Sequence, residues 1–417
     1  MTRFWHPVAD MSAVAASGEL ILERGEGVHV WDESGRRYLD ATAGLWYCNV
    51  GYGRTEIADA AAAQMRRLPA YSHYGDVSSR STTDLAERIA AFAPMEDAAV
   101  FFTSGGGEAV ETAVKLVRRY WSLLGRDEKT IVISRERAYH GLAGYGTSLV
   151  GIDAFTVGVG PLAGGTLRVP WNDADALAAA IDDSGADRVA AFFCEPIVGA
   201  GGVLLPPPGY LEAARAVCRD RDVLFVADEV ICGFARVGDW FASTRFGLDP
   251  DLVTFAKGVT SGYLPLGGVI VGGRVREPFW SPGAGVWRHG YTYSGHATAT
   301  AAAHANLDVM ERESLPERAR GLEATLAAAL EPLASHRLVG GVRAGLGVLA
   351  AVQLAADALA EDAALTERVV AAAREHAVLT RALTGGGLQI SPALTIGDGD
   401  LAELVAGLGA ALDAVAG

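Results

Sequence analysis

Short apolar runs recur through the middle of the chain, each closing on polar or glycine-rich residues. Residues 99–103, 130–134, 189–194, 223–227, 252–256 and 268–271 read as strands. Their hydrophobicity is continuous rather than alternating, which predicts strands buried on both faces of a mostly parallel sheet. Helical patterns separate them, including 210–221 and 108–123, the latter apolar at 110, 113, 114, 117 and 121. Strand and helix in alternation predict an α/β sheet with helices on both faces.

The flanks read differently. Up to residue 49 the chain is extended pieces and turns, with 28–31 and 37–40 predicted as a hairpin about the turn at 32–35. Helices are expected over 55–67 and 82–93. After residue 296 come an Ala-rich helix over 297–312, a second over 315–334, strands near 346–354, 378–380 and 388–390, and helices over 366–376 and from 400. That texture predicts an α+β unit, against which the N-terminal segment is expected to pack. The expected division is 1–49 and 297–417 as the two parts of a small domain, with 50–296 as a large one.

Composition narrows the classes. The chain has 417 residues, half of them hydrophobic, enough for two cores. A net charge of -15 argues against nucleic acid and anionic membranes as partners. Cys48, Cys194, Cys218 and Cys232 are scattered, with no C-x-x-C pair, and read as reduced core thiols of a cytoplasmic protein. The histidines form no metal-binding pattern, so no metal is expected. The start lacks an apolar core of signal-peptide length, and no apolar stretch has bilayer-spanning length.

Candidate chemistry gathers at the ends of the predicted strands, where open α/β sheets bind ligands. Lys257 ends one run and Asp228 another. One amine and one carboxylate delivered by neighbouring strands suit pyridoxal phosphate, the amine for its aldehyde and the carboxylate for its pyridine nitrogen. A plain ion pair between the two is the competing reading. Ser104-Gly105-Gly106-Gly107 lies between a strand and a helix start, where free amides and the helix dipole can cradle a phosphate. It is not the G-x-G-x-x-G dinucleotide pattern. Tyr139, in Arg137-Ala138-Tyr139-His140-Gly141, can stack on a planar ring. Glu195, in Cys194-Glu195-Pro196, can support the site with a hydrogen bond. The polar stretch 289–296, just before a long helix, can offer hydroxyl and amide donors to an anion.

The order of these motifs resembles the class III aminotransferases, pyridoxal-phosphate enzymes of fold type I, over nearly the whole chain. The stretches Ala227-Asp228-Glu229-Val230-Ile231-Cys232-Gly233-Phe234 and Phe255-Ala256-Lys257-Gly258 carry most of the likeness. The resemblance implies an α/β fold with a large, mostly parallel sheet of the seven-stranded type in a cofactor-binding domain. It also implies a smaller α+β domain built from both chain ends. It assigns Lys257 to the cofactor aldehyde and to proton transfer, and Asp228 to the pyridine nitrogen. Tyr139 and Val230 would cover the two faces of the ring, with Ser104, Gly105, Gly106, Gly107 and Glu195 completing the cofactor site. Thr292 would reach the phosphate of a neighbouring subunit, making a homodimer with shared sites the minimum assembly and leaving a tetramer open.

Within the family, the ornithine and 4-aminobutyrate types carry a Glu where this chain has Ala200. Leu45-Trp46 and 379–383 look like the omega-amino acid and amine transaminases, whose arginine at the position of Arg381 pairs with a substrate carboxylate and swings away for an apolar group. Trp46 would wall the substrate pocket beside Tyr139. The implied reaction moves an amino group from a primary amine or omega-amino acid to a 2-oxo acid such as pyruvate, in a ping-pong cycle. A racemase or aminomutase on the same scaffold is the alternative. Gly105 and Gly107 stand where the family commonly has Ser, so backbone amides would carry more of the phosphate.

Overall fold

A computed structural model describes residues 3–417. Met1 and Thr2, which open the expected N-terminal segment, lie outside the described residues.

The central sheet has seven strands, in the spatial order Ala99–Thr103, Gly267–Val271, Leu252–Phe255, Leu224–Asp228, Val189–Cys194, Ile131–Arg135 and Thr166–Val169. Only Gly267–Val271 runs against its neighbours. The other four pairings along the row are parallel, so the carboxyl ends of those strands point one way. Every residue of Val189–Cys194, Leu224–Asp228, Leu252–Phe255 and Gly267–Val271 is buried, as their unbroken apolar runs require. The strand Thr166–Val169 was not expected. It is short, lies at the sheet edge and exposes Leu167 and Arg168, so it lacks the buried-strand signature.

The helix Gly106–Leu123 lies against this sheet and buries nine side chains, from Ala109 to Trp121. Its first turn opens on two glycines, each about 1 kcal/mol worse than Ala in a helix. Burial of Val110, Val114, Val117 and Trp121, at roughly 1.5–3 kcal/mol each, outweighs that. Tertiary packing therefore fixes where this helix begins. Trp121 Nε1 donates to the Ala190 carbonyl at 2.9 Å, pinning the helix across the sheet.

A second sheet joins the chain ends. Leu22–Glu26, His29–Asp32 and Arg37–Asp40 form an antiparallel meander, and Val378–Leu379 pairs in parallel with Leu39 and Asp40. This pairing supports our proposed division into 1–49, 50–296 and 297–417. A third sheet holds Val339–Arg343, Ala350–Leu354, Gly387–Ile390 and Ala382–Leu383. Two elements here depart from expectation. Met11–Ser17 is a helix, capped by Asp10, where extended chain was expected. Val339–Arg343 is a strand whose two glycines hid it from an apolar-run reading.

One buried arginine ties these parts together. Arg236 donates to the carbonyls of Val348 (3.3 Å), Ser391 (3.3 Å) and Pro392 (2.6 Å) and to Asn49 Oδ1 (2.5 Å). Burial pulls its guanidinium down to about 10. All four cysteines are buried and unpaired. No helix of the described residues is long and apolar enough to cross a membrane.

Candidate active site

The loops that leave the carboxyl ends of the sheet converge on a cavity of about 150 Å³. Gly106, Gly107, Tyr139, Asp228, Val230 and Lys257 all line it, together with His140 and Glu195. A larger open groove of about 1100 Å³, around Met95, Arg215 and Asp251, contains none of these residues.

Asp228 is the last residue of its strand and pairs in register with Thr254, three residues before Lys257. Its Oδ1 accepts from the Val230 amide (3.1 Å) and the Thr254 hydroxyl (3.0 Å). Its Oδ2 accepts from His140 at 2.6 Å. An ionised carboxylate only accepts, so His140 carries its proton on Nδ1. His140 Nε2 is buried without a partner among the described residues. The three donors fix the carboxylate plane.

Lys257 sits at the start of a single turn, with φ 44°. Left-handed backbone is disfavoured for a residue with a Cβ, and such strain persists only where surroundings enforce it. Two asparagines help to enforce it. Asn306, on the helix Ala297–Arg312, donates to the carbonyls of Gly258 and Val259, both at 2.9 Å. Asn49 fills the space beside Gly258, where a Cβ would meet its Nδ2 at 2.6 Å. Burial pushes the Lys257 ammonium down to about 8; Asp228 and Glu195 oppose the shift, and Arg381 adds to it.

Glu195 is buried beneath the site and accepts from the amides of Tyr139 (2.9 Å) and Gly199 (3.0 Å). Burial pushes its carboxyl up, while His140 and the two amides work against that. Glu195 thus holds the backbone that carries Tyr139. Tyr139 stands edge-on to Phe155, ring centroids 5.5 Å apart, above an apolar cluster that includes Trp46, Ile197 and Ile231. Arg381 reaches into the same cluster, its guanidinium carbon 4.6 Å from the Trp46 ring centroid.

The glycine turn is open where a phosphate would need it open. A Cβ at Gly105 or Gly107 would meet nothing within 4 Å, whereas at Gly106 it would meet Val230 Cγ1 at 2.9 Å. Glu108 takes the Ser104 amide at 2.8 Å. The free space therefore lies over the first amides of an 18-residue helix. Thr292 is exposed and does not line the cavity of its own chain. Trp287, another aromatic near the polar stretch, packs among Phe101, Phe279 and His289.

Three residues of this arrangement escaped the sequence reading. His140 lay inside a noted motif without a role. Thr254 was a polar residue in an otherwise apolar strand, a signal that could have been used. Asn306 sits in an Ala-rich helix far along the chain, and nothing local points to Lys257.

An amine, an oriented carboxylate, an aromatic face and an open helix N-terminus suit the aldehyde, pyridine nitrogen, ring and phosphate of pyridoxal phosphate. Comparison with known proteins agrees. The family described as aminotransferase class-III matches residues 12–412. The chain is 39% identical to the putrescine–pyruvate aminotransferase of Pseudomonas aeruginosa over 422 residues, covering 96% of this chain and 91% of that protein. It superposes with a TM-score of 0.94 on a thermostable (S)-enantioselective omega-transaminase from Thermomicrobium roseum, at 39% identity and 98% and 96% coverage. The omega-transaminase of Pseudomonas jessenii in complex with PMP gives a TM-score of 0.94, 35% identity and 99% and 96% coverage.

Sheet, loops and cavity together define a pyridoxal-phosphate-dependent transferase of fold type I. Within that class the chain belongs to the class III aminotransferases, enzymes that transfer amino groups.

Proposed function

We propose that this enzyme takes the amino group of a primary amine or omega-amino acid and passes it to a 2-oxo acid, pyruvate foremost, with both substrates using one site in turn. The observation that carries this reading is the placement of Arg381 on Trp46, beside Tyr139 and next to the Lys257 cavity. Ala200 offers no carboxylate to hold the guanidinium, so it is free to pair with a substrate carboxylate or to lie back on the indole.

Pyridoxal phosphate, when bound, draws electrons from the amine-bearing carbon and stores the amino group between the two substrates. In this reading Lys257 holds the aldehyde and moves the proton at that carbon. With its ammonium pushed down to about 8, Lys257 is partly unprotonated at neutral pH and largely so at mildly alkaline pH, which an ordinary lysine is not. Asp228, oriented by His140 and Thr254, keeps a proton on the pyridine nitrogen. Tyr139 and Val230 cover the ring, Glu195 holds the Tyr139 loop, and Ser104, Gly105, Gly106 and Gly107 receive the phosphate. Thr292 completes the phosphate site of a second copy, so the working unit is a homodimer. The exposed side chains of Tyr74 and Tyr293, with Tyr74 against Gly290, support a protein-covered face there.

The test is a half-reaction on the cofactor-loaded enzyme. Addition of an amine alone should bleach the visible absorbance, and pyruvate should restore it. A racemase or aminomutase would keep its absorbance under amine and show no dependence on an added 2-oxo acid.

A further inference from the structure

Arg381 is carried on a weak element. It lies between Val378–Leu379 and Ala382–Leu383, two-residue strands, and the turn beyond holds two left-handed glycines, Gly385 (φ 84°) and Gly386 (φ 82°). Strands this short do not hold their own register, and paired glycines add no side-chain packing to the tip. The position of the hairpin therefore depends on ties from elsewhere.

Toward its own sheet the tip is held by Gln353 Nε2 and the Leu354 amide, which donate to the Gly385 and Gly386 carbonyls at 2.7 and 3.0 Å; toward the Tyr139 loop, beside a 3.4 Å bond from the Thr384 amide to the Ala200 carbonyl, the side-chain tie is Arg137. Its Nε donates to the Gly201 carbonyl at 2.8 Å, and its Nη2 donates to that oxygen and, at 2.9 Å, to the Thr384 carbonyl. Gly201 belongs to the loop after Glu195, and Thr384 is the tip of the Arg381 hairpin. One guanidinium thus joins the loop beneath Tyr139 to the hairpin above it. The seat is shaped for it. A Cβ at Gly202 would lie 2.9 Å from Nη2, and one at Gly385 would lie 3.1 Å away. Arg137 itself is left-handed, φ 65°, and its amide is held by the Gly151 carbonyl at 2.8 Å. Arg343 grips the same loop, donating to Gly202 and Val203 carbonyls. Both arginines use carbonyl oxygens rather than carboxylates, so charge neutralisation does not explain their placement; a planar fork that spans two acceptors does.

We propose that Arg137 is a positioning residue for substrate specificity: it sets the register of the Arg381 hairpin against the Tyr139 loop without touching substrate. This rests on the proposed reading of Arg381 as the carboxylate partner. Where Ala200 replaces an acidic residue, the Arg381 side chain has no carboxylate on that loop to hold, and Arg137 joins the hairpin to the loop from the tip instead. The consequence is selective. Misplacing the hairpin weakens recognition of a carboxylate and leaves substrates without one unaffected.

The experiment uses the holoenzyme in its amino form and compares pyruvate with acetaldehyde, which is pyruvate with hydrogen in place of the carboxylate. Arg137→Ala should raise the half-saturating pyruvate concentration on the order of ten-fold and change that of acetaldehyde by less than about two-fold. Arg137→Lys, which keeps the charge but reaches one carbonyl, should recover part of the loss. Hydrogen exchange should quicken at 382–387 in Arg137→Ala, with Lys257 and its turn unchanged. Equal loss for both acceptors, or unchanged exchange in the hairpin, overturns the positioning role. Arg381→Ala is the reference. If it separates the two acceptors and Arg137→Ala does not, the positioning role alone falls. If Arg381→Ala does not separate them, the reading of Arg381 falls and this inference with it. Should Arg137→Ala not fold, Gly385→Ala disturbs the same contact from the other side and must show the same selectivity.

Discussion

The Arg381 guanidinium rests 4.6 Å from the centroid of the Trp46 ring. Trp46 is buried and left-handed, φ 62°, so its ring is a fixed surface rather than a mobile flap. Such a contact is worth about 0.5–2 kcal/mol, less than a charged hydrogen-bonded pair, so a substrate carboxylate can displace it. Arg381→Ala is expected to raise KM for carboxylate-bearing substrates by about ten- to a hundred-fold, the value of a hydrogen bond to a charged group. Steady-state kinetics with an omega-amino acid and an apolar amine check this, and equal losses for both would remove the switch.

His140 orients Asp228 through a 2.6 Å bond at the carboxyl end of the sheet. His140→Leu removes a charge-assisted donor from a buried carboxylate, a loss of about 1.5–3 kcal/mol. The expected outcome is weaker retention of cofactor and a lower kcat, with KM for amine little changed. Dialysis followed by visible absorbance reads the first effect. An unaltered retention would show that Thr254 and Val230 suffice to hold Asp228.

The open space at Gly105 and Gly107 makes a gain-of-binding prediction. Gly105 is extended, φ 176°, and accepts any residue. Gly105→Ser or Gly107→Ser should tighten pyridoxal phosphate by about 0.5–1.5 kcal/mol per new hydrogen bond. Gly106→Ala should do the reverse, since its Cβ would press on Val230 at 2.9 Å. Equilibrium titration of apoenzyme with cofactor ranks the variants. A Ser variant that binds more weakly would show that the turn is already optimal with amides alone.

The Lys257 amine sets a pH dependence. Burial lowers it from 10.5 to about 8 in the folded chain. Between those values the unfolded chain holds a proton that the folded chain has released, so apoenzyme stability from this group rises with pH across that window. Below about pH 8 both states are protonated and the destabilisation is complete. Urea midpoints of apoenzyme near pH 7.5 and 9.5 should differ in this direction, and Lys257→Met should flatten the difference. A wild-type slope that survives in Lys257→Met assigns it to another group.

Arg236 holds Asn49, Val348, Ser391 and Pro392 at one buried point. Arg236→Leu leaves several buried acceptors unpaired and should cost about 3 kcal/mol or more of stability. The urea midpoint should fall accordingly, with the cofactor spectrum of the folded fraction intact.

Much of this arrangement is written locally. Leu224–Asp228 and Leu252–Phe255 announce themselves as buried strands, because a strand covered on both faces carries few polar positions. Asp228 and Lys257 then stand out as charges that such a strand end tolerates only for a reason. The edge strand Thr166–Val169 and the glycine-bearing Val339–Arg343 carry no such mark, since exposure and glycine both erase the apolar run. The helix Met11–Ser17 is too short for its periodicity to register.

Sequence by itself therefore determined the buried strands of the central sheet and the amine and carboxylate that stand at their ends, because each depends on residues close in the chain. Tertiary structure alone decided which neighbour orients which. His140 reaches Asp228 across 88 residues, Asn306 holds the Lys257 turn across 48, and Arg137 reaches Thr384 across 247. No local pattern encodes such pairs. A donor finds its acceptor only after the hydrophobic core has fixed both backbones, and burial then makes the unpaired alternative costly.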